Sequence, residues 1–337
     1  MEDHMSYFKE RILAKLVLWA GAVTLICGGA LSAQAASVNL KAGHVLAEGH
    51  SYHLSWQRVG EIVKAKTNGE LTIDVFANST LGNERDLIEG MQLGAVDLAV
   101  VSSGPMSGFS QAFLVLDLPY IFPTYESAYL VLDGEIGQGM LDSLAQNRLK
   151  GFCFWENGFR NVTAKKATRK PEDVKGLKLR TMEAEVHMAT FNNLGAIATP
   201  MAMGEVYTAL QQGTIDAQEN PIANIYQAKF HEVNRYVNMT RHFYAGSPVL
   251  MSKAIWDKLS PEHQKILSEA IIETRSFARD EIKRGEKEYS EAMKKEGVTI
   301  VEDIDMAAWQ KAVQPTYEQF KNKIGADLIK KVQDIAK

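Results

Sequence analysis

Two stretches of the chain share one pattern and decide the fold: MQLGAVDLAVVSSGP at 91–105 and LQQGTIDAQENP at 210–221. Each has a glutamine and then a shared core of glycine, any residue, a β-branched residue and aspartate, which gives Gly94 to Asp97 and Gly213 to Asp216. In both, a helical pattern stops at a glycine suited to the left-handed conformation, and a strand begins. We therefore expect a repeated unit of helix, glycine turn and strand.

The same alternation of helix and strand runs through the chain. Helical patterns separate seven predicted strands: SVNLKAGHV, LTIDVFA, AVDLAVVS, KGFCFW, GLKLRT, AIATP and TIDAQ. This order predicts an α/β fold with mainly parallel sheets, and 337 residues exceed the usual size of one core, so we expect two lobes. Ligands bind at the carboxyl ends of such strands. The polar runs 102–105 and 218–221 either face a cleft there or merely end their strands.

The N-terminal sequence has the pattern of an export signal. Lys9, Arg11 and Lys15 precede an apolar stretch at 16–31, which leads into Ala33-Gln34-Ala35. A basic region, an apolar region and an A-x-A site predict cleavage after about Ala35 and a periplasmic protein. A membrane anchor is the alternative, but the stretch is short and carries three glycines. Of two cysteines, Cys27 is expected to leave with the signal.

Two arginines are candidates for binding an anion. In GLKLRT, Arg180 lies at the carboxyl end of a predicted strand, and its planar fork matches a carboxylate. In FWENGFRNVT, Arg160 follows a predicted strand and a turn at Asn157-Gly158, among aromatic residues. An ordinary surface role for Arg180 and ordinary packing at a crossover for Arg160 remain open.

These motifs resemble those of the solute-binding proteins of tripartite ATP-independent periplasmic (TRAP) transporters. The likeness runs through the segments LGNERDLIEGMQLGAVDLAV, LDLPYIF, NGFRNVT, DVKGLKLRT, LGAIATPMAMGEVYTALQQGTIDAQENP, KFHEV and SPEHQKIL, in that order. The resemblance implies a receptor without catalysis, whose two lobes close on a small organic acid and deliver it to the membrane subunits of the transporter. It also implies that Arg180 clamps the carboxylate and that Arg160 and Asn220 line the cleft.

The resemblance extends to the domain organisation. We expect a signal peptide at 1–35, lobe I at 36–157 with 246–285, and lobe II at 158–245 with 286–337. A long helix starting near Ser260 and Pro261 spans both lobes in this family, and we expect a kink or break near Gly285. The protein is expected to be a monomer without a cofactor.

The substrate stays open among sugar acids, short dicarboxylic acids and aromatic acids. Family members that bind sialic acid place charged or amide groups at the positions of Val45, Ser102 and Pro105, which disfavours that ligand. The further cleft candidates, assigned by rough position, are His44, Glu84, Ser102, Ser103, Trp155, Glu156 and Met203. A dicarboxylic acid would use both arginines, whereas a sugar acid would use the hydroxyl-binding groups.

Other functions have little support in the sequence. A net charge of −4 without a basic block gives nucleic acid no binding surface. His44, His50 and His53 are closely spaced, with His50 and His53 expected on one helix face, but they match no zinc pattern. Cys153 lies in an apolar strand, as an inert thiol would. An exported enzyme or a sensor-type binding module is the alternative to a transport receptor.

Overall fold

A computed structural model describes residues 37–337, so the predicted signal peptide and Cys27 lie outside the described residues. Nine strands form one sheet. They are β1 Val38–Gly43, β2 Leu71–Phe76, β3 Leu98–Val100, β4 Leu149–Ala164, β5 Lys178–Thr181, β6 Ile197–Pro200, β7 Ala217–Asn220, β8 Tyr236–Ser252 and β9 Thr299–Val301.

Helices connect these strands and cover the sheet. The α-helices are α1 Ser51–Lys66, α2 Glu84–Leu93, α3 Ser103–Met106, α4 Tyr125–Leu132, α5 Glu135–Ser143, α6 Glu185–Asn193, α7 Val206–Gln211, α8 Ile222–Gln227, α9 Phe230–Val233, α10 Lys253–Trp256, α11 Pro261–Lys295, α12 Met306–Ala312, α13 Gln314–Ile324 and α14 Ala326–Ala336. The 3₁₀ helices are Gln111–Asp117, Leu144–Asn147, Pro171–Val174 and Met203–Glu205.

The sheet has two parallel ends joined by two long antiparallel strands. Its order is β2-β1-β3-β8-β4-β7-β5-β6, with β9 added beside β8. The pairs within β2-β1-β3 and within β7-β5-β6 are parallel, whereas β4 and β8 run antiparallel to each other. The predicted α/β class with mainly parallel strands is therefore confirmed. The strand predicted to end at Trp155 instead continues to Ala164, so Arg160 lies inside β4 rather than after it.

Both glycine turns have the predicted conformation. Gly94 ends α2 with φ of 76°, and Gly213 follows α7 with φ of 71°. At these angles a side chain would strain the backbone, which explains the repeated glycine. The second strand begins later than TIDAQ suggested, because β7 covers Ala217–Asn220. The polar residues Gln218, Glu219 and Asn220 are thus part of the strand, and all three are buried.

The buried apolar residues form separate clusters at the two ends of the sheet. One large cluster includes residues of β1, β3 and α1, and two smaller clusters include residues of β5, β7 and α7. Phe320, Ile329 and Val332, in the C-terminal helices, pack in the large cluster. The lobe boundaries predicted from the sequence remain a prediction.

Helix α11 crosses both parts of the fold. Ser260 caps its first turn by accepting a hydrogen bond from the backbone of His263, and 35 residues follow without interruption. The break expected at Gly285 is wrong: the glycine lies within the helix, where Tyr289 covers it. Within residues 37–337, no helix combines the length and apolar character needed to cross a membrane.

Candidate functional site

Arg180 presents an unused donor at the carboxyl end of β5. Its Nε and Nη2 both donate to the carbonyl oxygen of Met201, at 2.9 and 2.5 Å, which fixes the plane of the guanidinium group. Its Nη1 is buried and has no hydrogen-bond partner among residues 37–337, and the residue is 3% exposed. Burial, and then the charge of Arg160, lower the pKa of Arg180 to about 10. A bound anion would relieve this unfavourable burial of charge.

Arg160 is already paired. Its Nε lies 2.5 Å from Oε2 of Glu219, and its Nη2 donates to Oε1 at 2.8 Å and to the carbonyl oxygen of Glu219 at 2.7 Å. Both side chains are buried. Burial alone would raise the pKa of Glu219, but Arg160 holds it well below its usual range. Glu219 therefore compensates the charge of Arg160 inside the protein, although none of these bonds uses Nη1 of Arg160.

Three more buried groups extend this ion pair. Nε2 of His242 lies 3.2 Å from Glu219. His187 stacks on Phe243 with 3.9 Å between ring centres, and its nitrogens lie 3.6 Å from Asp117 and 3.9 Å from Glu219. Burial opposes a charge on His187, but these carboxylates raise its pKa above the ordinary value. Asp117 also accepts a hydrogen bond from Ser103 at 2.9 Å, so the predicted candidate Ser103 belongs to this network.

Glu84 and Ser102 meet at the end of β3. Glu84 is the first residue of α2, and its Oε1 accepts a hydrogen bond from the backbone N–H of Ser102 at 2.6 Å. The carboxylate of Glu84 partly opposes the lowering of the pKa of Arg180, so it belongs to the electrostatic surroundings of that arginine. A half-buried acceptor near an unpaired arginine suits a ligand that carries both a carboxylate and hydroxyl groups.

Asn220 belongs to a ladder of amides. Nε2 of Gln218 donates to Thr163 at 2.8 Å, Nδ2 of Asn220 donates to Gln218 at 2.6 Å, and Nδ2 of Asn224 donates to Asn220 at 3.1 Å. Each amide holds the next in one orientation. The ladder runs from the middle of the sheet, beside β4, out to α8.

A cavity of about 230 Å³ lies at the end of this ladder. It is lined by Val45, Leu46, Ala47, Asn78, Ser79, Met203, Gly204, Tyr207, Asn224, Gln227, Ala228 and Phe230. The loops after β1 and β2 form one side, and residues after β6 and in α8 form the other. Met203 packs against apolar clusters of both parts of the fold, which agrees with its predicted place in a cleft wall.

Three sequence candidates have other contacts. Trp155 packs on Trp56, and its Nε1 donates to the carbonyl oxygen of Ile271 in α11, so it is a core residue. Oε2 of Glu156 accepts hydrogen bonds from Tyr129 and Tyr244 in the same buried region. His44 is buried, with Nε2 3.2 Å from His53 and Nδ1 accepting from the backbone of Leu46. These contacts argue against the predicted roles of all three in the cleft wall.

The structure also removes the sequence argument for an aromatic acid as the substrate, because the aromatic residues behind it are buried. Phe152, Phe154 and Phe159, like Trp155, are buried in the large apolar cluster. His50 also differs from expectation: it caps α1 from outside the helix and shares no helix face with His53. Among the residues described, no group of three or more His, Cys, Asp or Glu side chains has the arrangement of a metal site.

The sequence interpretation missed the partners of Arg160. Glu219 is 59 residues away in the chain, and His242 is a further 23 residues on. The polar run at 218–221 was the signal in the sequence that could have pointed to Glu219. Only the antiparallel pairing of β4 with β7 and β8 brings them onto Arg160.

Comparison with known proteins finds relatives along most of the chain. Residues 42–323 match the family described as bacterial extracellular solute-binding protein, family 7. The chain is 33% identical over 330 residues to the C4-dicarboxylate-binding periplasmic protein DctP of Rhodobacter capsulatus, covering 96% of this chain and 98% of that protein.

Solved structures of TRAP periplasmic solute-binding and sugar-acid-binding proteins share the fold. The Polaromonas protein bound to D-erythronate is 36% identical, with a TM-score of 0.86 over 88% of this chain and 98% of its own. The galactonate complex of a sugar-acid-binding protein from Advenella mimigardefordensis is 32% identical, also with a TM-score of 0.86, over 89% of this chain and 98% of its own.

Proposed function

Because the chain belongs to the bacterial extracellular solute-binding proteins of family 7, we propose that it captures a hydroxylated monocarboxylic acid of the sugar-acid type. The observation that carries this proposal is the contrast between the two buried arginines. Among residues 37–337, Arg180 bonds only to a backbone carbonyl oxygen, whereas Arg160 is paired with the carboxylate of Glu219. The site therefore offers one uncompensated cation to one carboxylate.

A short dicarboxylic acid suits this site less well. Its second carboxylate would have to compete with Glu219 for Arg160. Apart from Arg160, the described groups within 4 Å of the Glu219 carboxylate that can carry a positive charge are His187 and His242. Separating a buried ion pair is costly because it leaves a charge without a partner. A ligand with one carboxylate avoids that cost.

Hydroxyl groups match the remaining polar groups of the site. Glu84 is an acceptor beside the clamp, and Asn220 and Asn224 are oriented amides. A hydroxyl both donates and accepts, so it can satisfy such groups without bringing a second charge. The relatives that bind D-erythronate and galactonate carry ligands of this class.

The receptor role has two further parts. The lobes close about the long strands β4 and β8, so that binding free energy accrues in the closed state. The loaded protein, exported by its N-terminal signal, then delivers the acid to the membrane subunits of a TRAP transporter. Family membership supports both parts, since this is a family of solute-binding rather than catalytic proteins.

A thermal-shift panel tests the proposed substrate class. The mature protein is heated with D-galactonate, D-erythronate, succinate and neutral galactose, each over a range of concentrations. A ligand that binds only the folded state raises the melting temperature with concentration. We expect the two sugar acids to stabilise the protein more than succinate and galactose to have no effect. Stabilisation by succinate alone would refute the proposal.

A further inference from the structure

Two segments from the two parallel ends of the sheet meet in a very close contact. Gly104 lies in α3, which follows β3, whereas Met182 and Ala184 lie between β5 and α6. A Cβ atom at Gly104 would stand 2.6 Å from Cε of Met182 and 3.2 Å from Cβ of Ala184. The first distance is shorter than real Cβ contacts, and the second is tight. Glycine therefore lets α3 approach this turn more closely than a residue with a side chain could.

A second contact crosses the same boundary. Asp117 ends the 3₁₀ helix that follows α3, and its Oδ1 lies 3.6 Å from Nε2 of His187 in α6. The same oxygen accepts the hydrogen bond from Ser103, the residue before Gly104. The nearby carboxylates raise the pKa of His187, which favours its charged form and makes this contact attractive.

Helix α6 also takes part in two apolar cores. Val186, near its start, is buried in the large apolar cluster that contains residues of β1 and β3. Phe191, near its end, is buried in a smaller cluster with Leu179 of β5. The start of α6 thus packs against the opposite part of the fold, at the same boundary as Gly104.

These contacts enclose the arginine of the proposed clamp. Arg180 lies two residues before Met182 and is 3% exposed, and Ser102 lies two residues before Gly104 and is 4% exposed. An acid can reach the buried guanidinium group only when the contacts around it open. Each apolar core holds its own residues together, so the contacts between the two cores are the ones that open in a rigid-body movement.

We propose that the contact of Gly104 with Met182 and Ala184 forms when the cleft closes, and that it retains the bound acid on Arg180. Gly104 is then a positioning residue, which acts through closure rather than by touching the ligand. In the open state a side chain at position 104 has space, whereas in the closed state it overpacks the contact. Apparent affinity falls with the closed population. This inference rests on the proposed function, since it requires a receptor that closes on an acid.

Gly104→Val and the smaller change Gly104→Ala test the contact. Valine branches at Cβ, where even a single atom is crowded, whereas the flexible end of Met182 can partly avoid an alanine. In calorimetry, Gly104→Val should weaken galactonate by about tenfold or more, and Gly104→Ala should weaken it less. Stopped-flow fluorescence should assign most of this loss to faster dissociation. Without ligand, both variants should melt like the parent protein, because the open state leaves the space free.

Gly108→Val is the matched control, because a Cβ at Gly108 would lie 3.5 Å from the carbonyl oxygen of Pro105, an ordinary contact. It should bind galactonate like the parent. Adding Met182→Ala to Gly104→Ala removes the nearest obstacle and should restore part of the lost affinity. Small-angle scattering at saturating galactonate should show less compaction for Gly104→Val than for the parent.

The outcomes separate this contact from the proposed function. Parental affinity and compaction in Gly104→Val would overturn the closure contact and leave the proposed function intact. So would an unchanged dissociation rate, or a loss in Gly104→Ala that Met182→Ala does not relieve. A parent protein that does not bind galactonate, or that binds it without compaction, would overturn the closing receptor and the contact with it.

Discussion

Replacing Arg180 by lysine separates charge from geometry at the clamp. In the structure, Nε and Nη2 of Arg180 bond to Met201 and hold the guanidinium plane, so that Nη1 is presented to the ligand. Lysine keeps the positive charge but has no rigid fork. Charge-assisted hydrogen bonds contribute on the order of 1.5–3 kcal/mol each. Losing one of two hydrogen bonds to the ligand carboxylate should therefore weaken binding by about 2 kcal/mol, roughly thirtyfold in Kd.

Isothermal titration calorimetry with galactonate measures this loss directly. Arg169→Lys is the matched control, because Arg169 is half exposed and pairs with Asp303 away from the clamp. Arg160→Lys should reduce affinity less than Arg180→Lys but lower stability, since it breaks the fork on Glu219. Circular dichroism confirms folding in each case. Near-parental affinity in Arg180→Lys, or a larger affinity loss in Arg160→Lys, would refute the assignment of Arg180 as the clamp.

Three further predictions concern stability, the buried ion pair and export. Burial raises the pKa of Glu156 to about 7 from an ordinary 4.5, so the folded state keeps its proton while the unfolded chain releases it. The free energy of unfolding should fall by about 3 kcal/mol as pH rises from about 4.5 to 7. In urea denaturation, Glu156→Gln should remove this dependence on pH, and it should be more stable than the parent protein above about pH 7. A parent protein without that slope would contradict the buried, protonated carboxyl. Glu219→Gln leaves the buried Arg160 without its counter-ion and should cost about 3–5 kcal/mol in the same assay, whereas a loss below 1 kcal/mol would speak against the ion pair. N-terminal sequencing of the exported protein should begin near Ala36, and a chain beginning at an acylated Cys27 would refute signal cleavage there.

Much of the fold could be predicted because local signals determine it. Gly94 and Gly213 mark helix ends whatever the surroundings, and the alternation of helix and strand then requires parallel pairing. The length of β4 could not be read in this way. Asn157-Gly158 looks like a turn, but Gly158, with φ of 106°, lies at a register shift between β4 and β8, where the strand continues.

The positions of some candidates could be predicted from a single strand. Arg180 lies at the end of β5 and Ser102 follows β3, as expected, and their roles in binding remain predictions. Trp155 and Glu156 were misplaced because β4 is buried along nearly its whole length, so its sequence gives no exposed face to read. The pairing of Arg160 with Glu219 depends on strands that are far apart in the chain, so no local pattern indicates it.

A crystal structure of the mature protein with galactonate tests the central claim most directly. The account predicts a carboxylate oxygen within hydrogen-bonding distance of Nη1 of Arg180, while Arg160 stays paired with Glu219. A carboxylate bound to Arg160 with Glu219 displaced, or a sugar acid bound away from the end of β5, would contradict it.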